Sequence, residues 1–554
     1  GGPDDTHQPY DVGGLVGVAN GSALGNEKAK DGIIYNGLTV KGKYNVGGIA
    51  GRLENSTLQN AENRSAIKAT GFTTESYVYQ GAGYSSTNNP KVQVSNVGGL
   101  VGISTGNTFT NVTNLGDVSS AMGKGNDYYD GGNVGGIVGR AEGTNITMAT
   151  NQETKVTGAH NVGGIAGYFG GNGTITSAVN DGAEIMATGG RAEIMETGGR
   201  TSSDFATEMV RPKEEERVHF GNMGGIVGYL YGNDAYVTKS TNSGNVHSQL
   251  IAANAEHVSE SSLAANTGGI VGKIDRTTTL TKEDILNEKQ AAVSDSYNSG
   301  TVQGFIGIGG VVGQMYNGEV VRSYNLGDIR TTKTVASLDP NKLPTANMGG
   351  VVGDTTEDTP YPVSALIYDV YNKGKIGDET FTYAARHVGG VVGRLRGTLE
   401  KAYNSGDVYN GYNVVGGVVG WYHKGNIKDV FNTGNVTVKN QDKLTSGNPS
   451  RTSSVGGIIG AAAPRAGLRI ENAYNIGTIR SYQVSGGGKS AVGGIAGRGP
   501  IDIENVYTLG TVVAYDANGN KTATGVGRIV GEALEGGGDY NTAYITNGYY
   551  IETG

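Results

Sequence analysis

Val388-Gly389-Gly390-Val391-Val392-Gly393, followed at Ala402-Tyr403-Asn404-Ser405-Gly406-Asp407-Val408 by a second phrase, is the stretch of this 554-residue chain on which the fold turns. The first phrase reads hydrophobe-Gly-Gly-hydrophobe-small-Gly. It begins at Val12, Val46, Val97, Val134, Val162, Met223, Thr267, Ile308, Met348, Val388, Val415, Val455 and Val492. A degraded copy, Val526-Gly527-Arg528-Ile529-Val530-Gly531, closes the series of about fourteen. The second phrase follows each copy at a distance of roughly fifteen residues. Steps of about 27 to 60 residues are the periods of solenoids, propellers and stacked arrays.

The tightest unit, Val388 to Tyr412, predicts three short strands: Val388–Gly393, Thr398–Tyr403 and Asp407–Tyr409. Turns are expected at Arg394–Gly397, at Asn404-Ser405-Gly406 and at Asn410-Gly411, because Asn and Gly tolerate positive φ. Three strands and three turns in about 27 residues make one coil of a parallel β-solenoid, whose apolar face is buried only when coils stack. The shortest steps are too tight for a four-stranded propeller blade of about 40 residues. The expected fold is therefore all-β, one parallel β-solenoid (β-helix) array over residues 1–554. About fourteen coils at ~4.8 Å give a rod on the order of 65 Å long. Insertions are expected at the corners, near residues 70–96, 186–221, 247–266, 331–346 and 439–453. A turn or two of helix fits Leu280–Gln290.

Composition narrows the function. Ninety-seven glycines without a Gly-X-Y triplet exclude collagen. The net charge of −8 provides no basic footprint for nucleic acid. No apolar run reaches the ~18 residues of a spanning helix, so no membrane insertion is expected. The absence of cysteine excludes disulfides and thiolate chemistry. The opening Gly1-Gly2-Pro3-Asp4 reads as a processed or excised segment.

Stacking in register converts repeated residues into columns about 5 Å apart. The second phrase supplies Asn36, Asn63, Asn114, Asn151, Asn180, Asn242, Asn298, Asn325, Asn372, Asn404, Asn432 and Asn475, a structural amide ladder. Immediately before it lie Tyr297, Tyr324, Tyr371, Tyr403, Phe431, Tyr474, Tyr507 and Tyr544, with Tyr35 an early outlier. Glu62, Thr113, Thr150, Val179 and Thr241 hold that place in earlier coils, which implies a half-exposed column. The aromatic stripe is the candidate ligand-binding surface, since ring faces suit the apolar C–H surface of sugars. One position before the closing strand, Asp328, Lys375 and Asp407 should place the lysine between two carboxylates.

Catalytic and metal chemistry is not expected. The seven histidines form no close pair, and His160 and His387 fall five coils apart, roughly 24 Å at the stacking distance. No phosphate-loop motif occurs. The acidic-glycine stretches Asp127–Asn133 and Asp516–Asn520 lack the closing Glu of a calcium loop and read as turns. No cofactor and no metal site is expected.

Val-Gly-Gly-Ile-Val-Gly followed by Ala-Tyr-Asn-Ser-Gly-Asp-Val resembles the GLUG-motif repeats of large bacterial surface proteins. These occur in adhesin-like proteins and in the non-catalytic N-terminal regions of IgA-cleaving zinc metallopeptidases. The zinc motif of those peptidases has no counterpart here, so the resemblance implies no peptidase activity. It implies an exported, cell-surface or secreted bacterial solenoid. The expected function is that of a non-catalytic adhesin or surface stalk meeting a host or microbial glycan or glycoprotein. The alternative is a subunit of an extracellular filament, self-associating head to tail through open solenoid edges.

Overall fold

The computed structural model describes residues 11–25, 33–69, 95–120, 132–158, 160–188, 221–249, 266–332, 346–355, 364–381, 385–411, 413–439, 453–464, 467–483, 490–523, 525–532 and 544–550. Of the five expected corner insertions only the flanking residues are among these. Most of the stretch Asp127–Asn133 also lies outside them.

One coil serves for all. Asn133–Gly135 is a three-residue opening strand. Past a glycine corner the chain runs along two arms, Val138–Glu142 and Asn145–Gln152, and returns through a closing strand, Lys155–Gly158. Each strand pairs in parallel with its counterpart one coil on. The opening strands form a fourteen-stranded sheet whose spatial order is the order of the chain. Val12, Val46, Val97, Val134, Val162, Met223, Thr267 and Ile308 occupy one column of it. Met348, Val388, Val415, Val455, Val492 and Val526 continue that column. The arms build a 31-stranded sheet, and the closing strands build sheets of eight and five. Ile376 joins the last two, bridging to Ile329 on one side and Val408 on the other. The fold is a parallel β-solenoid.

The first phrase does not lie in a single strand. His387–Gly389 ends at the corner, and a second strand runs unbroken from Val392 to Asn404. The turn expected at Arg394–Gly397 is absent because this coil's arms merge. Gly397, at φ 141, pairs with Ala365 and Gly425, and the register slips between Leu395 and Arg396. In other coils a left-handed glycine does bend the chain there, as at Gly106 and Gly143.

The corner explains why the two phrases travel together. A Cβ at Gly390 would lie 1.9 Å from the Gly417 carbonyl oxygen and 2.4 Å from Cγ of Asn404. Fourteen residues apart in the chain, Gly390 and Asn404 meet across the coil interior, and the amide occupies the volume a side chain at 390 would need. Gly136 with Asn151 and Gly310 with Asn325 repeat the contact. The fourth and fifth residues of the phrase point inward: Ile137, Val138, Val391 and Val392 are fully buried, with Ile146 and Leu399 facing them from the arms. Burial of each such side chain contributes about 1.5–3 kcal/mol. A second apolar lobe fills the space between opening and closing strands, with Val134, Val156 and Val162 in the early coils and Val388, Val408 and Val436 in the later ones.

Two local elements vary the pattern. Lys282–Leu286 is a helix with a capping box between Thr281 and Asp284, within the range expected for it. Asp516–Asn520 is a hairpin turn whose Asp516 carboxylate accepts the N–H groups of Asn518 and Asn520. The turn folds Lys521–Thr522 back antiparallel onto Val512–Tyr515, covering that strand's edge.

Candidate functional site: an aromatic stripe beside amide ladders

The asparagines of the second phrase form a continuous chain of hydrogen bonds. Asn36 donates to Asn63, Asn63 to Asn114 and Asn114 to Asn151, at 2.7–2.9 Å. Asn151, Asn180 and Asn242 carry it on to Asn298. Asn298, Asn325, Asn372, Asn404 and Asn432 complete it to Asn475. Asn404 is fully buried and uses its whole hydrogen-bonding capacity. Nδ2 donates to Asn432 and to the Gly406 carbonyl, while Oδ1 accepts from Asn372 and from the Gly406 N–H. The ladder is closed to any ligand and holds each turn against the next.

One residue earlier, the rings stack face to face. Tyr297, Tyr324, Tyr371, Tyr403, Phe431, Tyr474 and Tyr507 follow one another at centroid distances of 4.5–4.9 Å with planes within 7° of parallel. The column is half-buried, and Tyr507 at its end is 39% exposed. Desolvation, with the neighbouring Tyr324 and Tyr403, pushes the Tyr371 phenol up to about 12, so that ring is neutral at physiological pH. Glu62, Thr113, Thr150, Val179 and Thr241 continue the same column toward the N-terminus, with Tyr35 beyond Glu62. Tyr544 does not belong to it. It pairs with Asp502, and Tyr549 is the residue aligned with Tyr507, because the last strand runs Tyr544–Tyr550 and reaches the column five residues later.

This geometry changes what the stripe offers. Each interior ring has its faces covered by its neighbours, so edges and hydroxyls point outward. Beside the last rings runs a second polar column: Asn472 donates to Asp429 at 2.8 Å, Asn505 to Asn472 at 3.1 Å and Asn547 to Asn505 at 2.9 Å. Between the two columns lies an open groove lined by Phe431, Tyr474 and Tyr507 on one side and Asp429, Asn472 and Asn505 on the other. Farther up, the longer Lys401 and Arg322 hold the place of these short side chains.

A second ladder escaped the sequence reading. Asn96 donates to Asn45, Asn133 to Asn96, Asn161 to Asn133, Asn222 to Asn161 and Asn266 to Asn222. Its signal is the asparagine standing just before the first phrase, one residue outside the repeat as it was delimited. It runs opposite to the first: these amides donate toward the N-terminal end, the others toward the C-terminal end. Asn347 and His387 occupy the same column farther on. Asn347 donates to Asp354, Asp354 holds Arg394 through two bonds of 2.7 Å, and His387 Nδ1 meets Asn347 Oδ1 at 2.7 Å. The His387 ring stacks on Trp421. Burial first, then Arg386 and Arg394, hold the imidazole well below its usual range, so it stays neutral.

Asp328, Lys375 and Asp407 do fall on successive coils, but Lys375 is not clasped between carboxylates. Asp328 accepts the Lys375 backbone N–H, Asp407 accepts that of Asn435, and the lysine ammonium lies 3.5 Å from Glu379. A carboxylate gains more from a fixed N–H of the next coil than from a mobile exposed ammonium. Asn435 continues the pattern, accepting from the Thr478 N–H. Among the described residues no group of three or more His, Asp or Glu side chains converges as a metal site would require.

Comparison with known proteins adds one similarity. A stretch of 188 residues is 28% identical to halomucin of Haloquadratum walsbyi, spanning 33% of this chain and 2% of that protein. No protein-family model matches the chain, and no solved structure matches it.

Proposed function

We propose that this chain is a non-catalytic, surface-displayed β-solenoid, a stalk or adhesin that carries its lateral columns to a glycan or glycoprotein partner outside the cell. The observation that carries the reading is the unbroken register of the opening sheet from Asp11 to Gly527, in which repeated polar side chains bond along the axis and to one another. Such an arrangement supplies length and stiffness, and it leaves the aromatic stripe with its groove as the repeated outward feature. The GLUG-like phrases and the stretch similar to halomucin accord with a surface role. Antibody labelling and protease shaving of intact cells test it. The chain should be labelled and cleaved without lysis, and a chain reached only after lysis would refute the reading.

A second reading, the end-to-end filament, is favoured by exposed side chains on the outermost strands: Val18 and Tyr35 at one end of the register, Tyr544 and Tyr549 at the other. Parallel strands present complementary edges at opposite ends, so one rod continues another without a change of register. Light scattering at rising concentration separates the two readings: growth of particles in whole-rod steps supports the filament, and a constant mass supports the stalk.

A further inference from the structure

The groove beside the last rings of the stripe owes its shape to a left-handed residue in each strand. At Asp429, Asn472, Asn505 and Asn547 the backbone adopts φ of 53–55°. The chain dips inward at the next residue, buried Val430, Ala473 or Val506, and emerges again at Phe431, Tyr474 or Tyr507. Short polar side chains and rings therefore form two parallel walls above a floor of Val430 and Ala473. The volume between them is about 430 Å³, inside the range of small-ligand sites. Unlike the buried asparagine ladder, this amide wall has hydrogen-bonding capacity to spare. Asn472 gives one amide proton to Asp429 and Asn505 gives one to Asn472. Each exposed Nδ2 keeps a second proton, and each Oδ1 a second lone pair. Across the groove, the Tyr474 and Tyr507 hydroxyls have no hydrogen-bond partner among the described residues.

The period of these groups selects the ligand. An extended peptide advances ~3.3 Å per residue and shows one side every second residue, out of step with rungs ~4.8 Å apart. A polyproline helix, at ~3.1 Å per residue and three residues per turn, is equally out of step. An extended chain of pyranose rings advances by about the height of one rung per ring and carries hydroxyls along both edges. Successive rings can therefore meet successive rungs, each with a donor and an acceptor on either wall. Charge narrows the class further. The one charged residue lining the groove is Asp429, and Lys428 beside it pairs with Glu471 at 3.1 Å. An acidic sugar would meet that carboxylate. Toward the N-terminus the left-handed position is charged in every coil from Asp429 back to Lys239, through Lys401, Asp369, Arg322 and Asp295, so the neutral wall belongs to the last coils.

We infer that this groove binds the interior of a linear neutral polysaccharide laid along the rod axis, one ring to a rung. Asn472 and Asn505 bond one edge of the sugar chain and the Tyr474 and Tyr507 hydroxyls the other. The inference rests on the surface-adhesin reading and gives it a ligand class, an orientation and a length. The test is a microarray of cello- and manno-oligosaccharides from disaccharide to octasaccharide, beside sialylated and uronic-acid glycans and a deglycosylated glycoprotein. It is probed with the full chain at 0.15 M and about 1 M salt, conditions that separate screened from unscreened contacts. Asn472→Gly with Asn505→Gly removes the amide wall and keeps the backbone, because glycine accepts a left-handed φ without strain. Tyr474→Phe removes a hydroxyl and keeps the stack, as Phe431 already does. Binding should grow from the disaccharide to about the tetrasaccharide and then level off, since four rungs carry the short polar wall. It should fall at least about tenfold in the double variant, weaken in Tyr474→Phe, persist in Tyr324→Phe and change little with salt. Undiminished binding by the double variant overturns the groove, as does retention of acidic glycans alone, of the bare polypeptide alone or of nothing by the folded chain. The adhesin reading fails separately, if the chain is reached only after lysis. A displayed chain that binds glycans through residues outside the groove would keep that reading and sink this one.

Discussion

Thirteen residues from Asn60 to Asn547, each three places before the ladder position, adopt left-handed backbone with φ between 45 and 57°. Only some are Asn or Asp, the residues that enter this region readily; Met148, Lys239, Arg322 and Lys401 are forced into it by the fold. For an ordinary L-residue the conformation costs roughly 1–2 kcal/mol. Met148→Asn at this exposed site should therefore stabilise its coil by about 0.5–1 kcal/mol, read as slower hydrogen exchange of the flanking amides. His387 is a second residue-scale exception, an imidazole in an asparagine column. Its folded pKa lies below the unfolded 6.5, so the unfolded chain binds more protons as pH falls. The stability held by neutral His387 is complete above about pH 6.5 and declines below it. His387→Asn, which restores the ladder residue, should flatten the fall in thermal midpoint between pH 7 and pH 5, at pH values set by that reference. An equally steep fall in the variant would assign the acid sensitivity elsewhere.

At the scale of the element, the two phrases prove to be one device. The glycine corner exists so that the asparagine can lie across it, and the last coil shows the pairing in reverse: where Tyr550 takes the ladder position, Arg528 takes the place of the second glycine. Asn404→Ala would leave the Asn372 donor, the Asn432 acceptor and both Gly406 backbone groups unpaired. At roughly 1–3 kcal/mol for each buried orphan after relaxation, a loss of at least about 3 kcal/mol is expected in denaturant unfolding. The ring stack tolerates more. Phe431 already sits between tyrosines, so Tyr403→Phe should be neutral, whereas Tyr403→Ala exposes two ring faces and should cost about 1–2 kcal/mol. A neutral Tyr403→Ala would mean that the rings only decorate the rod.

For the whole molecule, register is the quantity that matters, and fourteen opening strands at ~4.8 Å give a rod of roughly 60 Å. Most coils are held by neutral ladders, and at one junction a fully buried ion pair adds to them. Arg276 and Glu319, 3% and fully buried, meet at 2.8 Å where the chain leaves toward the short helix. Glu319 also accepts the N–H groups of Leu280 and Ala292, and Arg276 donates to the Ala235 carbonyl. Removing one charge strands the other in the interior, so Glu319→Gln should cost about 3–5 kcal/mol. Because repeat arrays unfold by neighbouring units, hydrogen exchange should place the loss in the coils around residues 266–325 and spare both ends. Uniform loss along the rod would show instead that it unfolds as a single unit.

The coil, its parallel stacking and the columns through Tyr403 and Asn404 could be read from the chain alone, because a residue that returns at one place in a repeat must lie above its predecessor when coils stack. Periodicity is itself the physical signal. It carried no information on what side chains do once stacked: that ring faces are consumed by neighbouring rings, that carboxylates such as Asp328 turn to the next coil's N–H, or that Asn45 and Asn96 begin a second ladder. The merged arm from Val392 to Asn404 was also beyond it. Each depends on which neighbour a group meets across roughly 5 Å of space, and in this chain that neighbour is some 27 to 62 residues away, as from Asn298 to Asn325 and from Asn180 to Asn242.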